Sequence, residues 1–176
     1  MAVGILEVFL VSAKGLQDSD FLGDMDPYVI IQYKGQERKS SAARGDGSSP
    51  SWNEKFTFKV EYPGSGGDYK LVLKIMDKDT FSSDDFVGQA TIFVKDLLAV
   101  GADEGSAELH PTKHSVVNAE QRYCGEIVVG LTFTKKVFNF FFMEIEHTSH
   151  QGQRIFIRVE IELQIFKDKS IFLPFY

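Results

Sequence analysis

The chain is nearly free of cysteine: Cys124 stands alone among 176 residues. No intramolecular disulfide can form, which excludes a disulfide-stapled scaffold and fits a reducing compartment. No apolar run approaches the roughly 18 residues that a membrane-spanning helix needs. The richest, VFNFFFM (137–143), ends far short of that. Positive charge is scarce too, with 19 Lys and Arg against 25 Asp and Glu and a net charge of −6. Neutralising a phosphate backbone needs a basic surface, so a general nucleic-acid binder is excluded. The start, MAVGILEVFLVSAKG, lacks a basic leader and is interrupted by Glu7. It reads as a strand, not a signal peptide, and Met-Ala is not the Met-Gly start of N-myristoylation. The expected compartment is the cytoplasm.

Catalytic motifs are missing as well. There is no Gly-x-Ser-x-Gly and no His-Glu-x-x-His, and GSGGDYK (64–70) lacks the Gly-Lys-Ser/Thr end of a phosphate loop. Cys124, beside Gly125, reads as structural. No enzyme is expected.

What the chain does hold is short strands separated by turn signals. GILEVFLV (4–11) alternates so that Leu6, Val8 and Leu10 face a core. PYVIIQYK (27–34) and a polar QERKSSAA (36–43) follow. WNEKFTFKV (52–60) points Phe56 and Phe58 inward, and YKLVLKIMD (69–77) points Leu71, Leu73 and Ile75 inward. FVGQATIFV (86–94), SAELHPT (106–112) and GEIVVGLTF (125–133) complete eight, and KDLLAV (95–100) invites a helical turn. Eight strands with almost no helix imply an all-β sandwich or barrel.

Two loops concentrate aspartate. GLQDSDFLGDMDPYV (15–29) carries Asp18, Asp20, Asp24 and Asp26; DKDTFSSDDFVG (77–88) carries Asp77, Asp79, Asp84 and Asp85. One aspartate in a loop usually serves a turn. Eight in two loops repel one another, about 4 kcal/mol per pair at 4 Å and an effective dielectric near 20. A hard divalent cation relieves this, and calcium takes six to eight oxygens. An EF-hand is excluded, because counting from Asp77 puts Ser82 where Gly belongs and Gly88 where Glu belongs.

Three ordered motifs then align with one family. Asp20 and Asp26 stand six apart before Pro27-Tyr28-Val29. PSWNEKFTF (50–58) follows, then Asp77-x-Asp79 and Asp85 before a Gly-containing strand. Over residues 1–134 the chain resembles a C2 domain, and most of all the small single-C2 plant proteins described as elicitor-responsive or phloem proteins. The resemblance implies an eight-stranded antiparallel C2 sandwich with the second (type II) strand permutation, its termini away from the acidic loops. It implies two calcium ions held by Asp20, Asp26, Asp77, Asp79 and Asp85, with the backbone of Phe21 and Lys78 and the side chain of Ser82 as further donors. Asp18, Asp24 and Asp84 fall outside the set as supporting charge or turn residues. Phe21, Leu22 and Phe81 are expected at the loop tips as membrane-inserting residues, with Lys34, Arg38, Lys39 and Arg44 as a partial basic lipid patch.

The implied function is calcium-dependent binding to anionic phospholipid by a monomeric signalling or targeting module. It would move from the cytoplasm to a membrane, in a plant defence setting. The rival is a calcium-independent protein-interaction module on the same fold. Residues 135–176, with eight of the chain's 16 Phe, have no counterpart in the family. IFIRVEIELQI (155–165) alternates as a ninth strand. The segment reads either as an alternative terminus or as an extra hairpin.

Overall fold

The computed structural model describes residues 1–17, 25–79, 83–136, 138–148 and 154–164. The chain divides into two compact units, Met1–Lys135 and Lys136–Tyr176.

The first unit is an antiparallel β-sandwich. Its strands are β1 (Ala2–Lys14), β2 (Pro27–Tyr33), β3 (Gln36–Lys39), β4 (Ser51–Tyr62), β5 (Lys70–Asp77), β6 (Asp85–Phe93), β7 (Ser106–Val117) and β8 (Tyr123–Lys135), with helix α1 (Lys95–Glu104) between β6 and β7. They hydrogen-bond in the order β3-β2-β5-β6-β7-β8-β1-β4. β6 meets β7 through one residue pair, Gln89 and Val117, so the strip consists of two four-stranded halves joined at a narrow seam.

One hydrophobic core lies between the halves. Leu6, Val8 and Leu10 of β1 and Leu71, Leu73 and Ile75 of β5 are all buried, as the period-2 alternation requires. Each such side chain contributes about 1.5–3 kcal/mol relative to exposure. Phe58 is buried beside them, and Phe56 is only partly buried against the same cluster. α1 runs past the expected helical turn to Glu104. Gly105 ends it at φ 92°, donating to the Gly101 carbonyl at 2.9 Å, while Lys135 Nζ binds the Ala102 carbonyl at 2.7 Å.

The strip's two outer strands, β3 and β4, are linked by side chains. Gln36 Nε2 donates to the Lys59 carbonyl at 2.7 Å, and the Lys59 N–H donates to Gln36 Oε1 at 2.9 Å. One side-chain amide thus reproduces the donor–acceptor pair of a strand ladder.

β1 and β8 lie side by side, with Gly4 opposite Lys135 and Lys14 opposite Glu126. The start of β1 and the end of β8 therefore share the end of the sandwich away from Lys14, where the chain leads into the first acidic loop. The second unit is a hairpin of β9 (Phe138–Thr148) and β10 (Arg154–Gln164), in register from Phe138 opposite Gln164 to Thr148 opposite Arg154.

Candidate metal and anion site

The two motif regions meet through a buried hydrogen bond. Trp52, in the Pro-x-Trp-Asn-Glu signature, donates Nε1 to the Pro27 carbonyl at 3.2 Å. That bond fixes the first residue of β2 and the aspartate before it. The loop between β3 and β4 completes the hold: Gly47 N–H donates to the Met25 carbonyl at 3.2 Å, and Gly45 N–H to Asp26 Oδ1 at 2.8 Å.

The β2–β5–β6 register then gathers three aspartates. Pro27 lies opposite Asp77 on one side of β5, and Asp85 lies opposite Asp77 on the other. Asp26 donates its backbone N–H to Asp77 Oδ1 at 2.7 Å, and Lys78 N–H reaches the Asp26 carbonyl at 3.3 Å. Asp26, Asp77 and Asp85 thus end three neighbouring strands at one tip of the sandwich, and Asp79 follows two residues after Asp77. Among the described residues, no three acidic, imidazole or thiol groups are already close enough to hold a metal ion. Asp20, Phe21, Leu22, Phe81 and Ser82, and with them Asp18 and Asp24, lie outside the described residues. The donors at this tip are carboxylate oxygens, each with about four lone-pair sites. Their chemistry fits a hard divalent cation.

Asp84 has a different role. It accepts the Tyr28 hydroxyl at 2.6 Å and the Asp79 N–H at 3.3 Å. The Tyr28 bond, with help from Asp79 N–H, Lys39 and Lys78, holds its carboxyl below the usual carboxylate range despite opposing desolvation. Burial, then the Asp84 bond, pushes the Tyr28 phenol up to about 12.

Beside the acidic tip lies a basic cleft. It is open, about 370 Å³, and lined by Tyr28, Lys39, Ser40, Ser41, Ala42, Arg44 and Lys78. Lys39 Nζ sits 3.7 Å from the Tyr28 ring centroid, a close cation–π contact. Of the four basic residues expected to form a patch, Lys39 and Arg44 are brought together here. Lys34 lies elsewhere, against the Tyr69 ring and the Ser65 carbonyl. Arg38 packs over Phe58 instead. Arg38 and Lys39 are consecutive in a strand, and consecutive strand residues face opposite ways.

A family model for the C2 domain matches residues 4–110. The chain belongs to the C2 family. It is 58% identical over 135 residues to the 16 kDa phloem protein 1 of Arabidopsis thaliana, a match that covers 76% of this chain and 86% of that one. A solved C2 domain-containing protein from an elicitor-responsive gene is 46% identical, with a TM-score of 0.58, covering 76% of this chain and 90% of that one. The C2A and C2B domains of extended synaptotagmin 2, solved calcium bound, are 26% identical with a TM-score of 0.54, covering 78% of this chain and 47% of that one.

Within this C2 domain, sequence reasoning missed Tyr28, Ser41 and the Lys78 side chain as lining of one cleft. Tyr28 stood in plain view inside Asp-Pro-Tyr. Lys78, placed between two aspartates, carried no signal of its own, because β5 pairing is what brings it beside β2.

Proposed function

We propose that the protein is a calcium-responsive module that binds anionic phospholipid surfaces as a peripheral membrane protein, without catalytic activity. The observation that carries this reading is the register of β2, β5 and β6, which ends three adjacent strands in Asp26, Asp77 and Asp85. Asp20, Asp26, Asp77, Asp79 and Asp85 are the residues proposed to hold two ions, with Phe21, Lys78 and Ser82 as additional oxygen donors. Calcium bound there supplies positive charge and open coordination positions for phosphate oxygens. Family membership and the calcium-bound extended synaptotagmin 2 domains support the reading.

The chain's own residues set the direction of the response. An acidic tip repels an anionic leaflet until its charge is neutralised. Lys39, Arg44 and Lys78 line the adjoining cleft and present positive charge of suitable kind for a headgroup phosphate. Phe21, Leu22 and Phe81 are proposed to enter the interface once the tip has docked. The unit from 1 to 134 is proposed to do this as a monomer, with 135–176 as an appendage outside the lipid-binding part.

A second reading, binding without calcium, draws on that same cleft, since its three cations need no metal. The two separate in one experiment: co-sedimentation of the full chain with phosphatidylserine vesicles, in calcium and in chelator. Pelleting in calcium alone is expected. Equal pelleting in both conditions, or none in either, would reject the calcium-responsive reading.

A further inference from the structure

Arg38-Lys39-Ser40-Ser41 runs from β3 into the loop beside the basic cleft. Ser41 is the only Ser or Thr in the sequence with Arg three residues before it. Protein kinases with acidic substrate channels select basic residues at the third and second positions before the acceptor, a charge-pattern form of specificity. Arg38 and Lys39 are exposed, on a strand at the edge of the sheet. Ser41 is exposed as well, whereas Ser40 is 6% exposed. The Ser40 hydroxyl is also fully engaged, accepting from Val29 N–H at 2.8 Å and donating to the Ser41 carbonyl at 2.9 Å. Backbone bonds from Ser40 to Val29 (2.9 Å) and from Ala43 to Pro27 (2.8 Å) pin the segment on both sides, and Ser41 between them is exposed.

We propose that Ser41 is a phosphorylation site whose phosphate seats in the adjoining cleft of Lys39, Arg44 and Lys78, and so blocks that cleft to external anions. A basic-directed serine kinase would supply the phosphoryl group from a nucleoside triphosphate. The bond from Ser41 Oγ to the γ-phosphorus forms and the β–γ bridging bond breaks. The nucleoside diphosphate leaves, and the hydroxyl proton passes to the kinase's base.

Two features of the unmodified site give the phosphate its direction. The Ser41 hydroxyl donates to Glu54 Oε1, and the Ser41 N–H donates to the same oxygen at 3.1 Å. A phosphoserine has lost that hydroxyl donor and carries about −1.5 to −2 charges at pH 7, so Glu54 repels it. The cleft that Ser41 lines offers an ammonium from Lys39, another from Lys78 and the Arg44 guanidinium. Charge-assisted bonds to these replace the one bond lost. The phosphate then sits where a headgroup phosphate would, and this last consequence rests on the lipid-binding reading.

The test uses the full chain, a purified kinase that prefers Arg three residues before serine, and ATP. Intact mass and peptide mapping should show one phosphate on Ser41. Incorporation should vanish in Ser41→Ala and fall at least tenfold in Arg38→Gln. The seat is read by phosphorus NMR near pH 6, close to the second pKa of a free phosphoserine at about 6. In the wild type the resonance should lie toward the dianion; in Lys39→Ala with Arg44→Ala it should move back toward the free peptide. Neither readout involves calcium or lipid. Undiminished incorporation in Ser41→Ala overturns the site, and a resonance indifferent to Lys39 and Arg44 overturns the seat. Vesicle binding of the phosphorylated chain, expected to weaken severalfold, tests the consequence alone.

Discussion

The Tyr28 hydroxyl donates to Asp84 Oδ2 at 2.6 Å, across 56 residues of chain. It ties the Asp-Pro-Tyr motif at the start of β2 to the acidic loop before β6. Lys39 caps the same ring on its face. One tyrosine therefore joins the acidic tip to the basic cleft.

Burial, with that contact, sets an alkaline limit. Tyr28 is raised to about 12 by burial and then by Asp84, and Tyr33 to about 12 by burial and then by Tyr69. An unfolded tyrosine ionises near 10, so the unfolded chain loses these protons first. The stability they contribute is complete below about pH 10 and is lost as pH rises toward about 12. Ultraviolet titration should show a late phenolate fraction, smaller in Tyr28→Phe. An unchanged late fraction in that variant would show that Tyr28 is not among the late-titrating phenols.

Trp52→Phe keeps a ring in the core but removes the donor to the Pro27 carbonyl. The Pro27 carbonyl keeps the Ala43 N–H at 2.8 Å, so the change removes one hydrogen bond, worth about 0.5–1.5 kcal/mol. Urea denaturation followed by circular dichroism should show a loss of that order. Calcium affinity should fall with it, because Asp26 precedes the carbonyl that Trp52 holds.

Gly101→Ala reverses the usual sign for a helix. An exposed helical position gains about 1 kcal/mol from that change. Here the new methyl would collide with the ring of Phe133, which is 0% exposed. Overpacking of this kind costs about 1–3 kcal/mol. Chemical denaturation should find the variant less stable than the wild type.

Calcium that binds only the folded chain should raise its melting temperature, adding about 2.7 kcal/mol at one hundred times the dissociation constant. Asp20→Asn combined with Asp77→Asn should abolish the rise. A wild-type melting temperature indifferent to millimolar calcium would count against the aspartate assignment.

The strands were legible because alternation is strict where one face is buried, as at Leu6, Val8 and Leu10 or at Leu71, Leu73 and Ile75. α1 runs beyond KDLLAV through Gly101, a poor helix former whose place is explained by its close approach to Phe133. β3 stops at Lys39, short of the expected 36–43, and the Ser40 side chain then turns to local backbone groups. In the site, the aspartates stood out by their crowding in two loops, and the ligand set followed from the C2 resemblance. The whole cleft did not, because only long-range pairing brings Tyr28 and Lys78 beside Lys39 and Arg44.

The Gln36 amide between β3 and β4 makes chemical ageing of a single side chain a threat to the whole sheet. Hydrolysis to glutamate would keep an acceptor for Lys59 N–H but destroy the donor to its carbonyl. A carboxylate would then face a carbonyl, like pole to like pole. The link between β3 and β4 would be lost at Lys59, leaving more of the outer edge of β4 exposed as a template for another strand. An old population of this protein should therefore clump before it unfolds.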